Sequence, residues 1–76
     1  MKIRVEINSF FSRFSVKTGS YNIELESPIK VSDFINQIGI PKERIGFVIV
    51  NGKRVDEEYI LNDGDKLEVI PYAMGG

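Results

Sequence analysis

The chain contains no cysteine, no histidine and no tryptophan. Without cysteine there is no disulfide to staple the fold, and without Cys/His clusters there is no zinc site to nucleate it. The 76 residues must therefore be held together by apolar packing and backbone hydrogen bonds. The same absences remove the usual thiol nucleophile, the side chain that titrates near neutral pH and the preferred transition-metal ligands, leaving carboxylates, amines and hydroxyls. Stand-alone catalysis is not expected, nor is a bound cofactor or metal. Charge of one sign is lacking too. Ten Lys and Arg against eleven Asp and Glu give a formal net charge of -1. The charges are interspersed, with no basic stripe for nucleic acid and no polybasic segment for an anionic membrane. No apolar run approaches transmembrane length, and the opening MKIRVEINS alternates instead of forming the apolar centre of a signal peptide. A soluble cytoplasmic protein that is monomeric when free is the resulting expectation, and the length leaves room for a single domain.

What is present is ordered by its periods. Ile3, Val5 and Ile7 alternate with Lys2, Arg4 and Glu6, the period of two of a half-buried strand. Tyr21, Ile23 and Leu25 alternate with Asn22, Glu24 and Glu26 after a turn signal at Thr18-Gly19-Ser20, predicting a second strand paired antiparallel to the first. The connection FFSRFSVK places Phe10 and Phe14 one helical turn apart, and its phenylalanines read as core anchors beneath a loop. After Pro28 the period changes. Val31, Phe34, Ile35 and Ile38 form one helical stripe, with Asp33 in the first turn and a stop at Gly39-Ile40-Pro41. Lys30 or Ser32 precedes the helical residues, and Ser32 is the better side-chain cap.

The run GFVIVNGKRV predicts a strand apolar on both faces entering an Asn-Gly turn, and LNDGDKLEVIPY an Asp63-Gly64 turn and a last strand. In that strand Leu67 and Val69 face inward and Glu68 and Ile70 outward, with pairing expected to fade at Pro71, which has no amide hydrogen. Asp63 and Asp65 read as turn formers, not as metal ligands. The order is β-β-α-β-β, an α+β domain over residues 1–71 whose sheet buries one face on one main helix. Residues 72–76 are expected to form a flexible tail. Phe47, Ile49 and Ile70 fall on the sheet face opposite the helix with Tyr72 beside them. Either they are a docking patch or the Phe-rich connection folds over them.

The β-β-α-β-β order, the VNGKRV strand and turn, the LNDGDKLEVIP strand and the closing Gly75-Gly76 together resemble the ubiquitin-like β-grasp sulfur carriers. That family includes the small subunit of molybdopterin synthase and the sulfur carrier of thiamine thiazole synthesis. Its fold is a mixed four- to five-stranded sheet on one helix. Pro71 and the Phe-rich segment look more like the molybdopterin synthase small subunit, whereas Met74 departs from both patterns. The resemblance implies that the Gly76 carboxylate is the reactive group, with Gly75 beside it. A ubiquitin-activating-like adenylating enzyme, using ATP and magnesium, would adenylate it. A sulfur donor would then convert it to a thiocarboxylate. Glycine lacks a Cβ, so the last two residues can thread a narrow channel. Tyr72, Ala73 and Met74, together with Phe47, Ile49 and Ile70, would then contact the adenylating enzyme and afterwards the molybdopterin synthase large subunit or a thiazole synthase. Two other readings share the fold. One is a protein modifier joined to lysines through Gly76, and the other is a regulatory or RNA-associated module that uses only its surface.

Overall fold

The alternation of Ile3, Val5 and Ile7 with polar residues produces strand β1 (Lys2–Ile7), whose three apolar side chains are all buried. The computed structural model describes residues 1–72. A 3-10 helix follows at Ser9–Phe14, opened by Asn8, whose side-chain oxygen accepts from the Phe10 amide at 2.9 Å. Two residues of the return to the sheet lie in the left-handed region, Ser15 at φ 62° and Gly19, inside the expected Thr18-Gly19-Ser20 signal, at φ 94°. Gly19 also opens strand β2 (Gly19–Glu24), paired antiparallel with β1 from Lys2↔Glu24 to Ile7↔Gly19.

Strand β3 (Ile29–Lys30) leads into helix α1 (Val31–Ile38). The predicted stripe is observed: Val31, Phe34 and Ile35 are buried and Ile38 packs against them. Ser32 is not the cap. It lies inside the helix, and Lys30 occupies the capping position without a side-chain hydrogen bond. The first helical amides are satisfied by tertiary contacts, because Val31 N–H donates to the Tyr59 carbonyl at 2.8 Å and Ser32 N–H to that of Glu57 at 3.0 Å. The helix stops where expected. Gly39 takes φ 83° and its N–H bonds the Ile35 and Asn36 carbonyls.

A 3-10 turn at Lys42–Arg44 precedes strand β4 (Ile45–Val50). Asn51 and Gly52, both at positive φ, turn the chain into strand β5 (Lys53–Val55), with Val50 opposite Lys53. Strand β6 (Ile60–Leu61) pairs with β3 as a second, two-stranded sheet that the sequence patterns did not indicate. Its neighbour Glu58 hydrogen-bonds the Lys30 ammonium at 3.1 Å, which pushes the Lys30 pKa above its ordinary value. Strand β7 (Lys66–Pro71) completes the main sheet in the order β2-β1-β7-β4-β5. The β1–β7 pair is parallel and the others antiparallel, so the sheet is mixed and five-stranded with one main helix: a β-grasp.

The phenylalanines anchor the core as expected: Phe11 is fully buried, and Phe10 and Phe14 are partly buried against it. One further expectation is corrected. Pairing does not fade at Pro71. Pro71 is buried opposite Ile45, and the next amide, that of Tyr72, donates to the Arg44 carbonyl at 2.8 Å. The missing N–H costs nothing there. Successive amides of a strand point to opposite sides, and the parallel pairing with β1 has already ended at Ile7↔Val69.

The two acidic residues around Gly64 are turn formers, as expected, and tie distant segments together. The Asp63 carboxylate accepts from the Lys2 amide at 2.7 Å. The Asp65 carboxylate, buried, accepts from the Asn62 amide at 2.8 Å and from the Asn51 side-chain amide at 2.9 Å. The other end of Asn51 accepts from the Lys66 amide at 3.0 Å, so one asparagine links the β4–β5 turn to the start of β7.

Candidate functional site

The sheet face away from α1 is set by alternation along β4 and β7. Val48 and Val50 point into the core, as do Leu67 and Val69, which leaves Phe47, Ile49, Glu68 and Ile70 on the outer face. Register brings them together. Phe47 lies opposite Ile70 and Ile49 opposite Glu68. Ile49 and Ile70 are half-buried by their neighbours, whereas Phe47 is exposed at 38% and Tyr72 at 79%.

The structure therefore assembles the predicted apolar group Phe47, Ile49 and Ile70, and continues β7 into Tyr72 at its margin. The Phe-rich segment does not roof it. Phe10, Phe11 and Phe14 pack with the core cluster, to which the outer-face residues do not belong. Phe14 has the Arg44 guanidinium 5.7 Å from its ring centre, and Phe10 has that of Arg13 at 4.3 Å. Ala73, Met74, Gly75 and Gly76 lie outside the described residues.

Two residues that the sequence reading missed belong to this face. Arg54 is opposite Ile49, and its guanidinium sits 5.1 Å from the centre of the Phe47 ring, a cation–π contact that places fixed positive charge on the rim of the patch. The signal for it was available, since a two-residue Asn-Gly hairpin forces Val50 against Lys53 and hence Ile49 against Arg54. The second is Gly46, the extra residue of a β-bulge, for Ile45 pairs with Pro71 and Phe47 with Ile70. The bulge shifts the alternation by one residue, so that Ile45 packs against the core while Phe47 points outward.

On the far side of β7 the face becomes polar. Glu6 and Glu68 are neighbours in the parallel register, and the Lys66 ammonium lies 3.3 Å from Glu6. The outer face thus passes from mixed charge over β1 and β7, where Arg4 and Lys66 stand beside Glu6 and Glu68, through the apolar group, to Arg54 on β5. An aromatic and β-branched centre with charged flanks has the composition of a protein-docking surface. Among the described residues, no three potential metal ligands converge.

Comparison with known proteins gives the context. A family model described as Mut7-C ubiquitin matches residues 1–74. A structure from Pyrococcus furiosus described as molybdopterin converting factor, subunit 1, is 25% identical, with a TM-score of 0.73 over 96% of this chain and 99% of that one. SAMP1 from Haloferax volcanii superposes with a TM-score of 0.70 at 14% identity, each chain covered over 100%. A protein–protein complex of subunits 1 and 2 of the molybdopterin-converting factor from Helicobacter pylori matches at 20% identity with a TM-score of 0.58, again over 100% of both chains. At those last two identities the likeness is one of fold alone. No curated protein sequence matches the chain significantly.

Proposed function

The chain belongs to the Mut7-C ubiquitin family, and from that premise we propose that it is a sulfur carrier whose reactive group is the Gly76 carboxylate. The observation that carries this reading is the end-to-end likeness, at 25% identity, to a protein described as molybdopterin converting factor subunit 1. The Gly75-Gly76 pair that follows the last strand supports it.

A chain-terminal carboxylate, with a pKa of about 3.3 to 3.7, is ionised at neutral pH and is a poor acyl electrophile. In the proposed chemistry an adenylating enzyme of the ubiquitin-activating type holds ATP and magnesium, and the Gly76 carboxylate oxygen attacks the α-phosphorus. The bond to pyrophosphate breaks and an acyl-adenylate forms. A donor at the sulfide oxidation level then attacks the acyl carbon, AMP leaves, and a thiocarboxylate remains. The domain contributes recognition. Phe47, Ile49, Ile70 and Tyr72 form the docking face, and Ala73 and Met74 lead the diglycine into the partner's channel. Arg54 prefers a carboxylate opposite it. In molybdopterin synthesis the consuming partner is the synthase large subunit, a pairing supported by the complex of subunits 1 and 2 known for the Helicobacter pylori factor.

The test is a deletion of residues 75–76. The shortened chain is expected to melt at the temperature of the full one, because the core and both sheets are built from residues 1–71. It is also expected to fail to restore molybdenum-cofactor synthesis in a strain lacking its own carrier. Restoration by the shortened chain overturns the proposal. Recovery of Gly76 in isopeptide linkage to lysines, with no thiocarboxylate form, replaces it by the modifier reading.

A further inference from the structure

The glycines of this protein are glycines for two different reasons. Gly19, Gly39, Gly52 and Gly64 have φ between 83° and 94°, and a Cβ built on any of them meets nothing within 4 Å. Their role is backbone freedom at turns. Gly46 is the reverse: it is not in the left-handed region, yet a Cβ there would lie 2.8 Å from the Pro71 carbonyl oxygen, 3.1 Å from the Tyr72 Cα and 3.2 Å from the Pro71 carbonyl carbon. All three are backbone atoms, so no rotamer change relieves the clash and one strand must move.

The strand that moves is β7. Strand β4 is anchored by Val48 and Val50 in the core and is paired on both sides from Val48 onward. Pro71 lies beyond the end of the β1 pairing, and the final link of β7 is the Tyr72 N–H bond to the Arg44 carbonyl at 2.8 Å. We infer that Gly46 is a positioning residue: by lacking a Cβ it lets Pro71 and Tyr72 close against the bulge of β4. It thereby fixes the position of Tyr72, which alternation along β7 puts on the same face as Ile70. The inference rests on the sulfur-carrier reading for its consequence, since delivery of a terminal carboxylate to a remote active site is sensitive to misplacement of its root. It does not rest on that reading for its geometry.

The experiment compares Gly46→Ala with Gly39→Ala, which strains a helix stop remote from β7 and serves as the stability control. Amide hydrogen exchange of Tyr72, referenced to Ile49 and Leu67, is expected to rise about tenfold in Gly46→Ala and to stay at the wild-type ratio in Gly39→Ala. In ATP–pyrophosphate exchange with the adenylating enzyme, Gly46→Ala is expected to lower kcat roughly tenfold, with KM for the carrier within about twofold, because Phe47, Ile49 and Ile70 of the docking face stay on paired strands and only Tyr72 at its margin moves. Should Gly46→Ala not fold, Tyr72→Pro removes the same N–H from the other side while leaving β4 intact. Its kcat should then fall about tenfold below that of Tyr72→Ala, which keeps the N–H. Unchanged Tyr72 exchange in Gly46→Ala overturns the inference, as does a released Tyr72 amide with wild-type kcat. A wild-type chain that supports no pyrophosphate exchange overturns the carrier reading instead, and the Tyr72 amide then decides the role of Gly46 alone.

Discussion

Phe47 and Phe11 are both large aromatics in this small domain, and their surroundings give them opposite tasks. Phe47 stands on the outer face with Arg54 against its ring, so Phe47→Asp removes apolar contact area and a cation–π partner without opening a cavity in the core. Stability is expected to change by no more than about 1 kcal/mol. Affinity for the adenylating partner, read by calorimetry, is expected to fall about thirtyfold or more, the scale of an aromatic hot spot. A variant that binds as wild type removes Phe47 from the interface, and one that unfolds assigns it to the core. Phe11 has no accessible surface. Phe11→Ala should cost about 3–5 kcal/mol in urea unfolding, enough to leave a domain of this size largely unfolded. A loss below about 1 kcal/mol contradicts its placement. The sequence pointed to all three rings as core anchors without ranking them; the segment winds as a 3-10 helix with three residues per turn, and Phe11 is the ring it buries fully.

At the scale of elements, the helix start separates two accounts of how α1 is closed. If Ser32 capped it, Ser32→Ala would cost about 1 kcal/mol. Because the first amides donate to Glu57 and Tyr59 carbonyls instead, the expected cost is below about 0.5 kcal/mol by chemical unfolding, and a loss near 1 kcal/mol contradicts the observed capping. The Asp65 carboxylate is the counter-case. Asp65→Ala strands the Asn62 amide and the Asn51 side-chain amide and should cost about 1–3 kcal/mol, with a neutral result contradicting the link between the two turns. Elements that repeat a period over several residues were legible in advance: the stripe Val31, Phe34, Ile35, Ile38 and the alternations of β1 and β7. The β3–β6 bridge was not, since two residues carry no period. The bulge at Gly46 was hidden for a related reason. Ile45–Val50 is apolar throughout apart from the glycine, so a slip of one residue breaks no visible pattern. Likewise Pro71 suggested an end to pairing, because its effect depends on which neighbour its missing amide faces, and that is a property of sheet order.

Taken as a whole, the molecule sets an apolar outer-face group beside the end of β7, the strand after which the sequence runs on to Gly75-Gly76. The fold and the outer-face cluster follow from alternation and turn chemistry. The chemistry assigned to Gly76 comes from family likeness, because glycine offers no side chain from which a reaction could be inferred. The most direct check of the central claim is therefore the intact mass of the protein isolated from its own cells, with fragmentation of its C-terminal peptide. The account predicts a fraction in which one terminal oxygen on Gly76 is replaced by sulfur, converted to the carboxylate form on incubation with the sulfur-accepting partner. A Gly76 found only as an ordinary carboxylate under every growth condition that demands the cofactor, or in peptide linkage to a following residue, would contradict it.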